Sequence, residues 1–80
     1  MHVATHTIHI FIEISKTEKK RGEFDTDQVS GRQIKEKAGI PFENDLARRE
    51  HGQLVLVTND QIITIKNGEH FVDLPPGTIS

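Results

Sequence analysis

The chain has 80 residues, a net charge of −2 with both signs mixed along its length, and no cysteine. A chain of this length forms one small domain whose core buries about 60–65% of the surface that the unfolded chain exposes. The absence of cysteine excludes disulfides and thiolate metal sites, and the absence of a clustered basic excess argues against a nucleic-acid partner. No apolar run reaches the ~18 residues of a membrane span and no signal-peptide pattern is evident, so we expect a cytoplasmic protein without a membrane partner.

The strongest periodic pattern lies near the start of the chain. Four isoleucines alternate with other residues over positions 7–14: Ile8, Ile10, Ile12 and Ile14. A period of two in β-branched residues predicts a strand whose isoleucines face the core. The basic segment 16–22 is predicted to be a solvent-exposed hairpin loop, and a short second strand over 23–26 returns with Phe24 pointing inward.

One short helix is predicted between two strand-rich halves. Ser30 and Gln33 have the spacing of a capping box, which starts a helix, and Gly39 has the position of a left-handed C-cap. The helix presents only Ile34 and Ala38 to a core. So narrow an apolar face requires a sheet to lie on.

Strand signals return after the helix. Phe42 and Leu46 are expected to fill the core. Residues 45–50 stand where a third strand belongs, although Leu46 is their one large apolar residue. After the turn His51-Gly52, residues 53–57 form a clear strand, and after Asn67-Gly68 a last strand covers 69–74.

This order of elements predicts an α+β fold of the β-grasp type. The expected sheet is mixed, with strand order 2-1-5-3-4, the first and last strands parallel at its centre, and the helix packed across one face. The domain is assigned to residues 1–74 and a flexible C-terminal tail to residues 75–80. The predicted core comprises Ile8, Ile10, Ile12, Ile14, Phe24, Val29, Ile34, Ala38, Leu54, Leu56, Ile65 and Phe71.

Three short segments carry a family resemblance. Residues 29–34 (Val-Ser-Gly-Arg-Gln-Ile), 38–41 (Ala-Gly-Ile-Pro) and 65–71 (Ile-Lys-Asn-Gly-Glu-His-Phe), followed by a proline-containing tail, resemble the bacterial multiubiquitin-type domains, which are prokaryotic ubiquitin-like proteins. The resemblance implies a ubiquitin-like β-grasp fold and a protein modifier. It also implies partners: an activating-enzyme-like protein, a conjugating-enzyme-like protein, a JAB-type peptidase and the target proteins.

The tail is the first candidate site. Pro75 and Pro76 fix the backbone φ angle and stiffen the exit from the last strand, whereas Gly77 lacks a Cβ and can thread a narrow channel. Gly77 falls where the terminal Gly-Gly of ubiquitin begins, and Thr78 is the first of three residues after it. A modifier would therefore be cleaved after Gly77 before its carboxylate is activated.

The second candidate site is a partner surface. The resemblance to ubiquitin's last strand, His-Leu-Val, places His70 and Val72 on it, and Arg48 lies on the third strand where ubiquitin has the isoleucine of its recognition patch. We expect a monomer that uses these residues to contact other proteins.

Two alternatives to the modifier follow from the same fold, because a fold does not fix a function. The first is a non-covalent interaction module, for which the tail is irrelevant. The second is a sulfur carrier, although such carriers already end in Gly-Gly. We expect no enzymatic activity, no catalytic residue, no metal and no cofactor, since the histidines are scattered along the chain: His2, His6, His9, His51 and His70.

Overall fold

The computed structural model describes residues 7–76 of the chain. Within this range the elements follow in the order β1 (Ile8–Glu13), β2 (Lys19–Phe24), β3 (Gln28–Ser30), α1 (Gly31–Ala38), β4 (Asp45–Glu50), β5 (Gln53–Val57), β6 (Ile62–Thr64) and β7 (Glu69–Leu74). In the described residues no helix is long and apolar enough to cross a membrane.

Five of the strands form one mixed sheet. Its order is β2-β1-β7-β4-β5, with β1 and β7 parallel and the other neighbours antiparallel. The short strands β3 and β6 pair with each other in a separate two-stranded sheet. The predicted fold class, a small α+β domain with one helix packed on a mixed five-stranded sheet, is confirmed.

The core lies between α1 and the sheet. Ile10 and Ile12 of β1 are completely buried, while Ile8 and Ile14 are partly buried and pack against the core from its margin. Most of the predicted core is confirmed. The buried core cluster consists of Ile10, Ile12, Phe24, Val29, Ile34, Ala38, Ile40, Leu46, Val57, Ile65 and Phe71.

The helix begins and ends as predicted. Ser30 accepts a hydrogen bond from the Gln33 N–H (3.2 Å), and the Gln33 side chain accepts one from the Ser30 N–H (2.8 Å), which completes the capping box. Gly39 has a φ of 74°, in the left-handed region, and the next N–H, from Ile40, reaches the Lys35 carbonyl (2.8 Å).

The first residue of α1 docks on the segment that follows β5. A Cβ at Gly31 would lie 2.3 Å from the carbonyl oxygen of Thr58, so only glycine allows this approach. The N–H groups of Gly31 and Arg32 bind the carbonyls of Gln61 and Asn59. Backbone hydrogen bonds therefore hold the start of the helix against the 58–61 turn.

A buried lysine holds the other side of this turn. Lys35 is only 3% exposed, and its Nζ donates to the carbonyls of Phe42 (3.1 Å) and Asn44 and to Oδ1 of Asn59 (2.6 Å). The ammonium group thus joins the loop after α1 to the turn after β5 through three oxygen atoms.

Three predicted core residues are exposed instead. Leu54 and Leu56 are 46% and 57% exposed, because β5 is the edge of the sheet and its pleat directs these two side chains away from the helix. Phe42 is 42% exposed, and the Arg32 guanidinium lies over its ring at 4.9 Å. The prediction for these three residues was wrong.

The second strand also differs from its prediction. It covers Lys19–Phe24, so most of the basic segment expected in a loop is extended and paired with β1. As an edge strand, β2 keeps its charged side chains in solvent while Phe24 and Gly22 lie on the helix side. A charged sequence is common on such an edge, since charge discourages further pairing.

Candidate partner-binding face and C-terminal tail

The sheet face opposite α1 carries the side chains that could meet a partner, and we call it the open face. Successive strand residues alternate between faces, and the register of the five strands puts the following side chains there. They are Lys19, Arg21, Glu23, His9, Phe11, Glu13, His70, Val72, Leu74, Asp45, Ala47, Arg49, Leu54 and Leu56.

An aromatic pair lies near the middle of this face. Phe11 and His70 are paired across the parallel strands β1 and β7, and their rings stack with centroids 5.2 Å apart. Nζ of Lys19 lies 5.9 Å from the centroid of the Phe11 ring. The pair gives the open face a flat, half-buried surface of the kind that partner proteins use as an anchor.

A bidentate ion pair lies beside the aromatic pair. Arg49 donates from Nε and from a terminal nitrogen to the two carboxylate oxygens of Glu13, at 2.9 and 3.2 Å. These hydrogen bonds, together with the positive charge of Arg49, hold the pKa of Glu13 below its ordinary value, and the same hydrogen bonds and the negative charge of Glu13 raise the pKa of Arg49. Nδ1 of His70 lies 4.0 Å from the same carboxylate. Because Glu13 is on β1 and Arg49 on β4, this ion pair crosses the central strand β7 on the open face.

The apolar part of the open face extends from β7 to the sheet edge. Val72 is paired with Ala47, which is fully covered although it does not belong to the core cluster, and Ala47 is paired in turn with Leu56. Leu54 lies opposite Arg49 on the same face. Half-buried Val72 and exposed Leu54 and Leu56 thus form one continuous apolar surface.

The structure brings His70 and Val72 together but places Arg48 elsewhere. The Arg48 side chain is 16% exposed, lies over the Phe71 ring at 5.7 Å and donates to the Thr64 carbonyl at 3.0 Å. It also lies 3.4 Å from a Glu50 carboxylate oxygen. Phe71 belongs to the core, so Arg48 covers the helix side of the sheet, and Arg49 is the arginine of the open face.

The tail leaves the sheet at the end of β7, next to the open face. Pro75 and Pro76 are exposed. A shallow cleft of about 400 Å³ between β1, β4 and β7 includes Val72, Arg49 and Pro75 in its lining. Gly77 and Thr78 lie outside the described residues. The structure therefore places the start of the tail, and not its predicted processing site.

Asp73, two residues before Pro75, does not present its side chain to a partner on the open face. Asp73 is 9% exposed and accepts a hydrogen bond of 2.9 Å from the Asn44 side chain. Its carboxylate is therefore turned to the helix side of the sheet and does not contribute a charge to the open face.

The histidines of the described range do not converge. His9 accepts from Arg21 and lies 3.4 Å from Glu23 at one end of the sheet, whereas His70 lies beside Glu13. Among residues 7–76 no group of three histidine, aspartate or glutamate side chains is arranged to hold a metal ion.

Comparison with known proteins gave no match: no family model fits the chain, and neither the curated proteins nor the solved structures contain a significantly similar one.

Proposed function

We propose that the chain is a ubiquitin-like protein modifier with the β-grasp fold. The fold is supported by the helix between the second and third long strands, and by the pairing of the first and last strands in parallel at the centre of the sheet. With the short strands β3 and β6 set aside, the order β2-β1-β7-β4-β5 supports the order 2-1-5-3-4 that we propose for a β-grasp domain.

The observation that carries the modifier proposal is the course of the last strand. β7 lies in the interior of the sheet, held by β1 and β4, and it continues directly into exposed Pro75-Pro76. A rigid sheet thus ends in two prolines that stiffen the chain before Gly77. This arrangement suits a C-terminus that enters the groove of another protein while the globular body stays outside.

The proposed reaction takes place on the partners and uses the tail as substrate. A JAB-type peptidase hydrolyses the bond between Gly77 and Thr78, and an activating-enzyme-like protein joins the new carboxylate to AMP from ATP with release of pyrophosphate. The acyl group then passes through a conjugating-enzyme-like protein to a target amine or hydroxyl, with release of AMP and of the proton of the attacking group. The absence of a Cβ at Gly77 leaves the reacting carbonyl open to attack.

Isotope exchange between pyrophosphate and ATP tests the activation step. We compare the 80-residue chain, a chain that ends at Gly77 and a chain that ends at Pro76, each with the activating-enzyme-like protein. We expect exchange only with the chain that ends at Gly77. Equal exchange with the chain ending at Pro76, or none with any of the three, would contradict the proposal.

The second candidate function is a non-covalent interaction module in the cytoplasm, and the open face favours it. Val72 lies in one row with Ala47 and exposed Leu56, and exposed Leu54 follows Leu56 on the same face, which makes a larger apolar surface than single exposed residues do. Val72→Asp is expected to abolish partner binding without unfolding the domain. Ile62→Asp is the control, because Ile62 is 62% exposed on β6 and outside this face, and this variant should leave binding unchanged.

A further inference from the structure

The outer edge of β5 is unprotected. Its five residues, Gln53–Val57, carry no charge and no proline, and Leu54, Val55 and Leu56 are 46%, 41% and 57% exposed. In the described part of the chain no strand pairs with this edge. β2 at the opposite edge has four charged residues out of six, the usual protection against pairing between molecules.

The hairpin between β4 and β5 determines which backbone groups point outward. His51 and Gly52 both have positive φ angles, 51° and 80°, as in a type I′ turn, so Glu50 and Gln53 close the hairpin as a hydrogen-bonded pair. Hydrogen-bonded and non-hydrogen-bonded pairs alternate along an antiparallel ladder. Val55 therefore binds Arg48, and the N–H and C=O groups of Leu54 and Leu56 point away from the sheet.

We propose that β5 pairs antiparallel with β5 of a second copy of this chain, about a two-fold axis at Val55. Leu54 then lies opposite Leu56 of the second copy, and the outward N–H and C=O groups of these residues form four hydrogen bonds. The two Val55 residues meet as a non-hydrogen-bonded pair with Cα atoms about 4.5 Å apart. The register is self-complementary, as a two-fold interface requires.

The side chains fit this register on both faces of the joined sheet. The leucines of the two copies meet on the open face, and the valines meet on the helix side. β5 has no charged residue, whereas the same pairing of β2 about Arg21 would place the Arg21 side chains of the two copies opposite each other. A second copy is therefore the occupant whose chemistry matches this edge.

The interface is small, so the association is transient. Two strands of five residues fall at the low end of specific interface sizes, and we expect a dissociation constant of about 10 µM to 1 mM. This inference does not depend on the proposed function, and it differs from the monomer expected from the sequence. Because Leu54 and Leu56 also belong to the open face, dimerisation would compete with a partner bound there.

Sedimentation equilibrium of the 80-residue protein over about 10 µM to 2 mM covers this range and tests the proposal. We expect a monomer–dimer equilibrium that Val55→Lys weakens at least tenfold, because the two lysines meet at the axis. Leu56→Pro should weaken it similarly, since it removes an outward N–H that β4 does not use. Ile62→Lys, which removes an exposed apolar side chain from β6, should leave the dimer intact.

Amide hydrogen exchange of the unmodified protein gives a second readout that needs no variant. With rising concentration the Leu54 and Leu56 amides should become protected, while the Val55 amide, already bonded to β4, should change little. A monomer throughout the concentration range would overturn the proposal. So would a dimer that survives both Val55→Lys and Leu56→Pro, or one that Ile62→Lys weakens equally.

Discussion

Replacing Lys35 by methionine is expected to remove a large share of the stability of the domain. Methionine keeps the length and the helix propensity of the side chain but cannot donate to the three oxygens that Nζ now binds. Phe42 O retains a hydrogen bond from the Asn59 side chain, whereas Asn44 O loses its side-chain donor in a buried place. Asn59 is partly exposed, so water can replace part of its loss.

The magnitude follows from these partners. A buried acceptor left without its donor costs about 1–3 kcal/mol, and bonds to a charged donor are worth about 1.5–3 kcal/mol each. Methionine carries no charge, so the variant avoids the free-energy cost of removing an ammonium group from water, and this offsets part of the loss. We therefore expect a net loss of about 2–4 kcal/mol, against a total stability of about 4–12 kcal/mol for 80 residues.

Urea denaturation measures this loss, with Lys37→Met as the matched control. Lys37 lies on the same helix but is exposed, and its ammonium group lies 5.4 Å from the centroid of the Phe24 ring, an interaction worth about 0.5–1 kcal/mol. If the free energy of unfolding falls by about 1 kcal/mol for each molar of urea, the urea midpoint of Lys35→Met should be about 2 M or more below that of the unmodified protein. Equal midpoints for the two variants would refute the role given to the Lys35 hydrogen bonds.

Three further predictions concern local features. Ser30→Ala removes the acceptor of the capping box and should lower the free energy of unfolding by about 1 kcal/mol in denaturant titrations; no loss would mean that the cap contributes nothing. Gly31→Ala puts a Cβ against the Thr58 carbonyl and should lower the free energy of unfolding by about 1–3 kcal/mol or more in the same titrations. An unchanged free energy of unfolding would contradict the close approach of Gly31 to Thr58. The lowered pKa of Glu13 makes the ion pair a stabilising contribution that is complete above the ordinary glutamate pKa of about 4.3 and is lost as the pH falls through the lower folded-state value. The free energy of unfolding should therefore change less between pH 7 and pH 3 in Glu13→Gln than in the unmodified protein. The same change in both proteins would contradict a stabilising Glu13–Arg49 ion pair.

The elements with strong local signals could be predicted from the sequence. The alternating isoleucines of β1 were correctly assigned to the core side, and the capping box and Gly39 marked both ends of α1. Each of these signals lies within a few neighbouring residues. The alternation of side chains in β1 and the hydrogen bonds at the ends of α1 depend on neighbouring residues alone, so contacts with distant elements did not change them.

The misplaced residues depended on contacts between distant elements. Leu54 and Leu56 have the hydrophobicity of core residues, but which face they take is set by the register of β5 against β4. A shift of one residue reverses the faces, and the alternate residues Val55 and Val57 fit the core pattern equally well. Nothing near β5 in the sequence indicates that it lies at an edge.

Only the part of the candidate site that lies on one strand could be predicted, because the rest depends on how distant strands pair. His70 and Val72 are two residues apart on one strand, so their shared face follows from the pleat. Arg48 and Arg49 are equally polar, and only the pairing of β4 with β7 shows which one lies on the open face. The burial of Lys35 could not be foreseen at all, because its three acceptors come from loops 7 to 24 residues away.

Mass spectrometry of a reconstituted conjugation reaction tests the central claim most directly. The 80-residue protein is incubated with the peptidase, the activating-enzyme-like and conjugating-enzyme-like proteins, ATP and a target, and the products are digested. The modifier account predicts target lysines or hydroxyl side chains that carry a remnant ending in Gly77, and far fewer of them with Gly77→Ala, whose melting temperature should be unchanged. A chain that remains intact to Ser80, with no remnant on any target while partners still bind the folded domain, would contradict the account and leave the interaction module.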